Sequence, residues 1–93
     1  ELLPEVRKAV GDELEIYIDG SVLSGGDVLA AVALGATAVL VGRPYLYGVM
    51  AAGEAGVDKM ADVFREEMEN TMTLMGVDKI DDLRPEHVRL REY

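Results

Sequence analysis

Two short stretches of this 93-residue sequence carry residue types suited to holding an anion. The first is Asp19-Gly20-Ser21-Val22-Leu23-Ser24-Gly25-Gly26-Asp27. Its glycines let backbone amides approach a phosphate closely, and a helix beginning near Gly25 would point its positive end at the same place. The second is Gly42-Arg43, whose guanidinium can hold a phosphate through two parallel hydrogen bonds. Glycines also serve as plain strand-to-helix turns. What favours the phosphate reading is the pairing of a glycine-rich loop with an Arg-bearing loop in consecutive structural units.

Other chemistries are excluded by composition. There is no Cys, so no disulfide framework, zinc-thiolate site or thiol nucleophile, and the single His rules out a His-rich metal cluster. Nine Lys and Arg against 18 Asp and Glu give a formal charge of −9, which argues against a nucleic-acid partner. No apolar run approaches the roughly 18 residues needed to span a bilayer. The 49% hydrophobic content suffices for one modest core. The chain opens with Glu1 rather than Met, shows no basic segment followed by an apolar stretch, and is expected to be a piece of a longer protein.

The elements that must position these loops follow from periodicity and punctuation. Leu2 to Gly11 reads as a short helix with Pro4 in its first turn and Gly11 at its end. Leu14-Glu15-Ile16-Tyr17-Ile18 is β-branched and aromatic, hence a strand. Val28 to Gly35 is a small-residue helix, and Thr37-Ala38-Val39-Leu40-Val41 is a uniformly apolar strand of the kind covered on both faces. Tyr45 to Ala52 predicts a turn or two of helix ending near Gly53. From Val57 to Met75, residues Val57, Met60, Ala61, Phe64, Met68, Met72 and Met75 form one helical stripe, closed by Gly76. Residues 78–93 are a charged tail with a turn at Ile80 to Leu83 before Pro85.

Helix, strand, helix, strand, helix, helix implies parallel strands joined by a right-handed crossover. Two parallel strands cannot cover their own edges. An α/β barrel needs about 250 residues and eight such units. The fold class expected for residues 1–93 is therefore α/β, the last two βα units of a (β/α)8 barrel. In such barrels ligands sit at the C-terminal strand ends, with phosphate between the loops after the last two strands. Asp19, at a strand end, falls on that rim.

These residues carry a family resemblance. Ile18 to Val28, then Ala31-Val32-Ala33-Leu34-Gly35-Ala36, then Val41-Gly42-Arg43-Pro44-Tyr45-Leu46-Tyr47-Gly48 resemble the C-terminal signature of FMN-dependent α-hydroxy-acid oxidases and dehydrogenases. Through Glu54-Ala55-Gly56-Val57, Thr71-Met72 and Leu74-Met75-Gly76-Val77 the likeness extends over nearly the whole chain, toward the quinone-reducing bacterial L-lactate dehydrogenases. Gly-Arg-Pro-Tyr-Leu-Tyr-Gly is its specific part, because glycine-rich phosphate loops recur in many barrels.

The resemblance implies FMN as cofactor. In the family an Asp-Gly-Gly-Val-Arg loop and a later Gly-Arg pair hold the flavin phosphate; by position these roles fall on Asp19, Gly20, Ser21, Val22 and Leu23, and on Gly42 and Arg43. Ser21 replaces the second glycine and adds a hydroxyl. Leu23 stands where the family usually has arginine, leaving Arg43 as the nearby cation. The family's catalytic His and Arg lie upstream of Glu1, so no catalytic residue is assigned here, and the piece alone is expected to be inactive.

The remaining residues have structural readings. His87, beside Pro85 and Glu86, reads as a solvated or locally packed surface histidine. The methionine stripe reads as core packing rather than a binding groove. Asp27 is explained by the dipole of the helix it starts, and Glu66-Glu67 by a solvated helix face. Tyr45 and Tyr47 fit a ligand pocket and packing under the preceding loop equally well.

The leading expectation is thus the FMN-phosphate-binding part of a dehydrogenase that oxidises a small 2-hydroxy acid to a 2-oxo acid. A homo-oligomer without nucleic-acid partners is expected, in the cytoplasm and at the inner membrane face if quinone is the acceptor. Two alternatives stand beside it: a piece of another phosphate-binding barrel such as the inosine-monophosphate dehydrogenases, and a non-enzymatic module that self-associates to cover its strand edges.

Overall fold

The computed structural model describes residues 2–89. Helix α1 (Leu2–Val10) buries Leu3 and ends at Gly11, which has a φ of 67°. Its Arg7 is the clamp that holds the following segment. The guanidinium donates to the Gly35 carbonyl at 3.0 and 2.6 Å, to Gly11 at 2.7 Å and to Leu14 at 2.9 Å.

Strand β1 (Tyr17–Asp19) is shorter than its sequence suggests and begins later. The Leu14 carbonyl is already taken by Arg7, and the Ile16 amide donates to the Thr37 hydroxyl at 3.1 Å. Those backbone groups therefore have partners outside the ladder. Strand β2 (Ala38–Leu40) pairs with β1 in parallel, with Tyr17 opposite Ala38, Ile18 opposite Val39 and Asp19 opposite Leu40. Helix α2 (Gly25–Ala33) connects the two strands.

Helix α3 (Arg43–Met75) is long and broken. Ala52 (φ −156°) and Gly53 (φ 59°, ψ −134°) leave helical geometry, and Gly53 adopts a backbone conformation that side chains disfavour. The break separates an N-terminal arm from the methionine-bearing stem. Across it the arm and the stem touch at two glycines. A Cβ on Gly48 would sit 2.7 Å from the Gly56 carbonyl oxygen, and one on Gly56 would overlap the Gly48 carbonyl oxygen.

The core lies between α2, the stem of α3 and the C-terminal segment. Leu29, Ala33 and Leu83 are buried, with Met68, Met72, Met75, Val77 and Val88 packed around them. Burying a leucine is worth about 1.5–3 kcal/mol, and Leu83 explains why the charged tail is held down. Two 3₁₀ turns, Ile80–Asp82 and Pro85–His87, flank it, one more than the sequence predicts. The last part of the tail, residues 90–93, lies outside the described residues. No helix among those described is long and apolar enough to cross a membrane.

Candidate anion-binding cleft

Parallel register places Asp19 and Leu40 side by side at the carboxyl ends of their strands. Both following loops therefore leave from the same edge, and they enclose a cleft of about 340 Å³. Asp19 through Leu23 form one wall; Leu40 with Gly42, Arg43 and Pro44 form the other. The structure brings every residue singled out in the two loops as a cofactor-binding candidate to this single cleft.

The first wall is shaped by two successive residues with positive φ, Gly20 at 110° and Ser21 at 59°. Left-handed backbone at a non-glycine residue costs roughly 1–2 kcal/mol. A glycine at position 21 would avoid that cost, so Ser21 holds this turn at some expense in local stability. Val22 is buried and anchors the loop, whereas Leu23 is 57% exposed at its rim. The loop is then closed by reciprocal bonds. The Leu23 amide donates to the Asp27 carboxylate at 2.9 Å, and the Asp27 amide donates to the Ser24 hydroxyl at 3.2 Å.

The second wall is the start of α3. Gly42 is its N-cap and Arg43 and Pro44 open its first turn. The first amides of a helix have no intrahelical acceptor, and the helix dipole adds positive potential there. Pro44 lacks an N–H to lose and fits this turn. The Arg43 side chain is exposed, and a Cβ on Gly42 or on Gly20 would meet nothing within 4 Å, so the cleft is open over both glycines. Arg43 is the cation on the cleft among the described residues.

One expected contribution is missing. Neither the N-cap nor the first turn of α2 lines this cleft. Its N-cap Ser24 satisfies Asp27, and the Gly25 amide donates to the Glu67 carboxylate of α3 at 3.2 Å. Glu67 is half-buried rather than part of a solvated face, whereas Glu66 is exposed. The α2 terminus is occupied by the protein's own anion. Nothing in the local sequence signals this contact, since its partners are 42 residues apart.

The other singled-out residues fall away from the cleft. His87 is exposed, and its Nδ1 accepts the Arg84 amide at 3.0 Å, a local turn contact. Tyr45 and Tyr47 are 47% and 63% exposed and line no part of the cleft. Met68, Met72 and Met75 pack half-buried against the core, and Met60, Met68 and Met72 also line an apolar groove with Phe64, Val39 and Val41, so the stripe is core packing only in part. No group of acidic, His or Cys side chains among the described residues is arranged to hold a metal ion.

Comparison with known proteins accords with this geometry. The profile of the FMN-dependent dehydrogenase family matches residues 1–90. A putative L-lactate dehydrogenase of Mycobacterium tuberculosis is 46% identical over 94% of this chain and 21% of its own length. A pre-mycofactocin synthase of Mycolicibacterium smegmatis is 42% identical over 97% of this chain and 23% of its own. Among solved structures, a mandelate oxidase mutant with a monooxide FMN adduct superposes with a TM-score of 0.83 at 43% identity, covering 89% of this chain and 26% of that one. The chain spans about a fifth to a quarter of the length of these relatives.

Proposed function

The chain belongs to the FMN-dependent dehydrogenase family, and from that premise we propose that it forms the phosphate-holding part of the FMN site of a 2-hydroxy-acid dehydrogenase. The observation that carries the proposal is the convergence of the Asp19–Leu23 loop and the Gly42–Pro44 turn on one open cleft. Family membership also favours a flavin barrel over the inosine-monophosphate dehydrogenases. In this reading β1 and β2 with their helices are the last two units of a (β/α)8 barrel, and the cleft lies at the rim where such barrels bind phosphate.

The donor set suits a phosphate monoester. The first-turn amides of α3, the Arg43 guanidinium and the Ser21 hydroxyl all donate, and a phosphate accepts only. Asp19 is an acceptor and would repel the phosphate, so its carboxylate is suited to the hydroxyl groups of the ribityl chain. FMN, when bound, supplies the two-electron acceptor for oxidation of a 2-hydroxy acid to a 2-oxo acid. Within this chain the residues bind and orient. None takes the acid–base role, and His87 is tied to the Arg84 turn. The substrate is a 2-hydroxy acid of the lactate class; relatives of similar identity bear names of different activities, so the selecting residues are assigned to the rest of the polypeptide.

Arg43→Ala in the full-length flavoprotein tests the proposal. Loss of a charge-assisted bond to phosphate should weaken FMN binding by about 1–3 kcal/mol. Flavin occupancy that survives dialysis as well as in the unsubstituted protein would sink it.

A further inference from the structure

We infer that Gly48 and Gly56 are positioning residues for the flavin phosphate, acting by fixing the angle at which the arm of α3 presents Arg43 and its first-turn amides to the cleft; this rests on the cleft being the FMN-phosphate site. The two glycines meet backbone to backbone across the Ala52–Gly53 break. Gly56 is buried, and a methyl group there would overlap the Gly48 carbonyl oxygen and lie 2.7 Å from its carbon. Backbone cannot rotate aside as a flexible side chain does. Any larger residue must therefore push the arm off the stem or reopen the break.

The arm is short, so that displacement reaches the cleft. Gly48 lies five residues from Arg43, about 7.5 Å along a helix at 1.5 Å per residue. The stem, by contrast, is held independently. Gly25 of α2 packs on it so closely that a Cβ would sit 2.5 Å from the Phe64 carbonyl oxygen, and the Gly25 amide is bonded to Glu67. With the stem anchored to α2 and the Asp19–Leu23 wall anchored by Val22, the arm is the part that yields. Weakening a charge-assisted bond to the phosphate costs about tenfold or more in affinity.

The test compares FMN with riboflavin, which lacks the phosphate, in the full-length flavoprotein. Gly56→Ala and the milder Gly48→Ala are measured by flavin-fluorescence titration, with Gly76→Ala as a control. Gly76 has a φ of 75° at the far end of α3, so alanine there strains the backbone without touching the arm. The expected result is a loss of FMN affinity of tenfold or more for Gly56→Ala and a smaller loss for Gly48→Ala. Riboflavin affinity should stay within about twofold for both, and Gly76→Ala should leave both ligands unchanged. Parallel loss of FMN and riboflavin, or no loss of either, overturns the inference, because the glycines would then serve folding or nothing. Failure of both variants to fold, seen by circular dichroism, overturns it in the same way. If the unsubstituted protein itself binds riboflavin as tightly as FMN, the phosphate site is wrong and the proposed function falls first.

Discussion

The Gly25 amide and the Glu67 carboxylate, 42 residues apart, meet at 3.2 Å and join the first turn of α2 to the middle of α3. Gly25 is buried, so this donor has no easy access to water. An orphaned buried amide costs about 1–3 kcal/mol. Glu67→Ala should lower the stability of the protein by that amount, read as a shift in the urea midpoint at constant slope. Glu67→Gln, which keeps a side-chain oxygen, should recover more than half. An unchanged midpoint for Glu67→Ala would show that the contact contributes nothing.

Ser21 offers a gain instead of a loss. Its φ of 59° is one that glycine accepts freely and serine does not. Ser21→Gly should stabilise the protein by up to about 1 kcal/mol, partly offset by the greater freedom of glycine in the unfolded chain. Ser21→Val should destabilise it, because a β-branched residue fits that region worst. Thermal unfolding of both variants checks the order, and a valine variant as stable as the glycine variant would refute it.

At the cleft rim, Leu23 is 57% exposed and brings no charge to the wall opposite Arg43. Leu23→Arg adds a second cation beside Arg43 without disturbing the backbone bond from Leu23 to Asp27. FMN affinity should rise by a few-fold to about tenfold at low ionic strength, and the gain should shrink with added salt. A gain that persists at high salt would point to packing rather than charge.

Tyr17 supplies a pH signature for β1. Its hydroxyl donates to the Glu15 carboxylate, and that hydrogen bond, followed by the repulsion between a phenolate and the carboxylate, raises its pKa above the usual tyrosine value. The raised folded-state value means the protonated form is favoured by folding. That preference is present below pH 10 and disappears as pH rises through the folded-state pKa. Glu15→Gln should bring the titration of Tyr17 back down, followed by NMR of its ring carbons. Identical titration curves in the two proteins would remove the assigned cause.

What was legible in the sequence was local. Gly20, Ser21, Gly42 and Arg43 announced the cleft because loop chemistry and strand order are written in neighbouring residues, and parallel register then made the loops converge. The methionine stripe marks the half-buried face of the stem in the same way, although Met60, Met68 and Met72 on it also line a groove. What was not legible depends on residues distant in the chain. Leu14 looks like a strand residue until Arg7 takes its carbonyl. Glu67 looks like a solvated acid until α2 is packed against it. Gly53 marks a helix end, yet the return contact of Gly48 on Gly56 has no local pattern to announce it.

The two-stranded sheet has a colloidal consequence. Among the described residues each strand has a partner on one side, so each also presents an outer edge of backbone donors and acceptors. Such edges invite stacking of further copies, and the exposed Leu46 and Met50 of the arm add adhesive surface. What opposes this is mutual repulsion between molecules of formal charge −9. That repulsion fades when salt shortens the Debye length to about 8 Å, and again as pH falls toward the isoelectric point near 4.4. Handled as a 93-residue chain, the protein should therefore depend on its acidic surface more than on the closure of its fold to stay dispersed, and turbidity should rise along both of those axes.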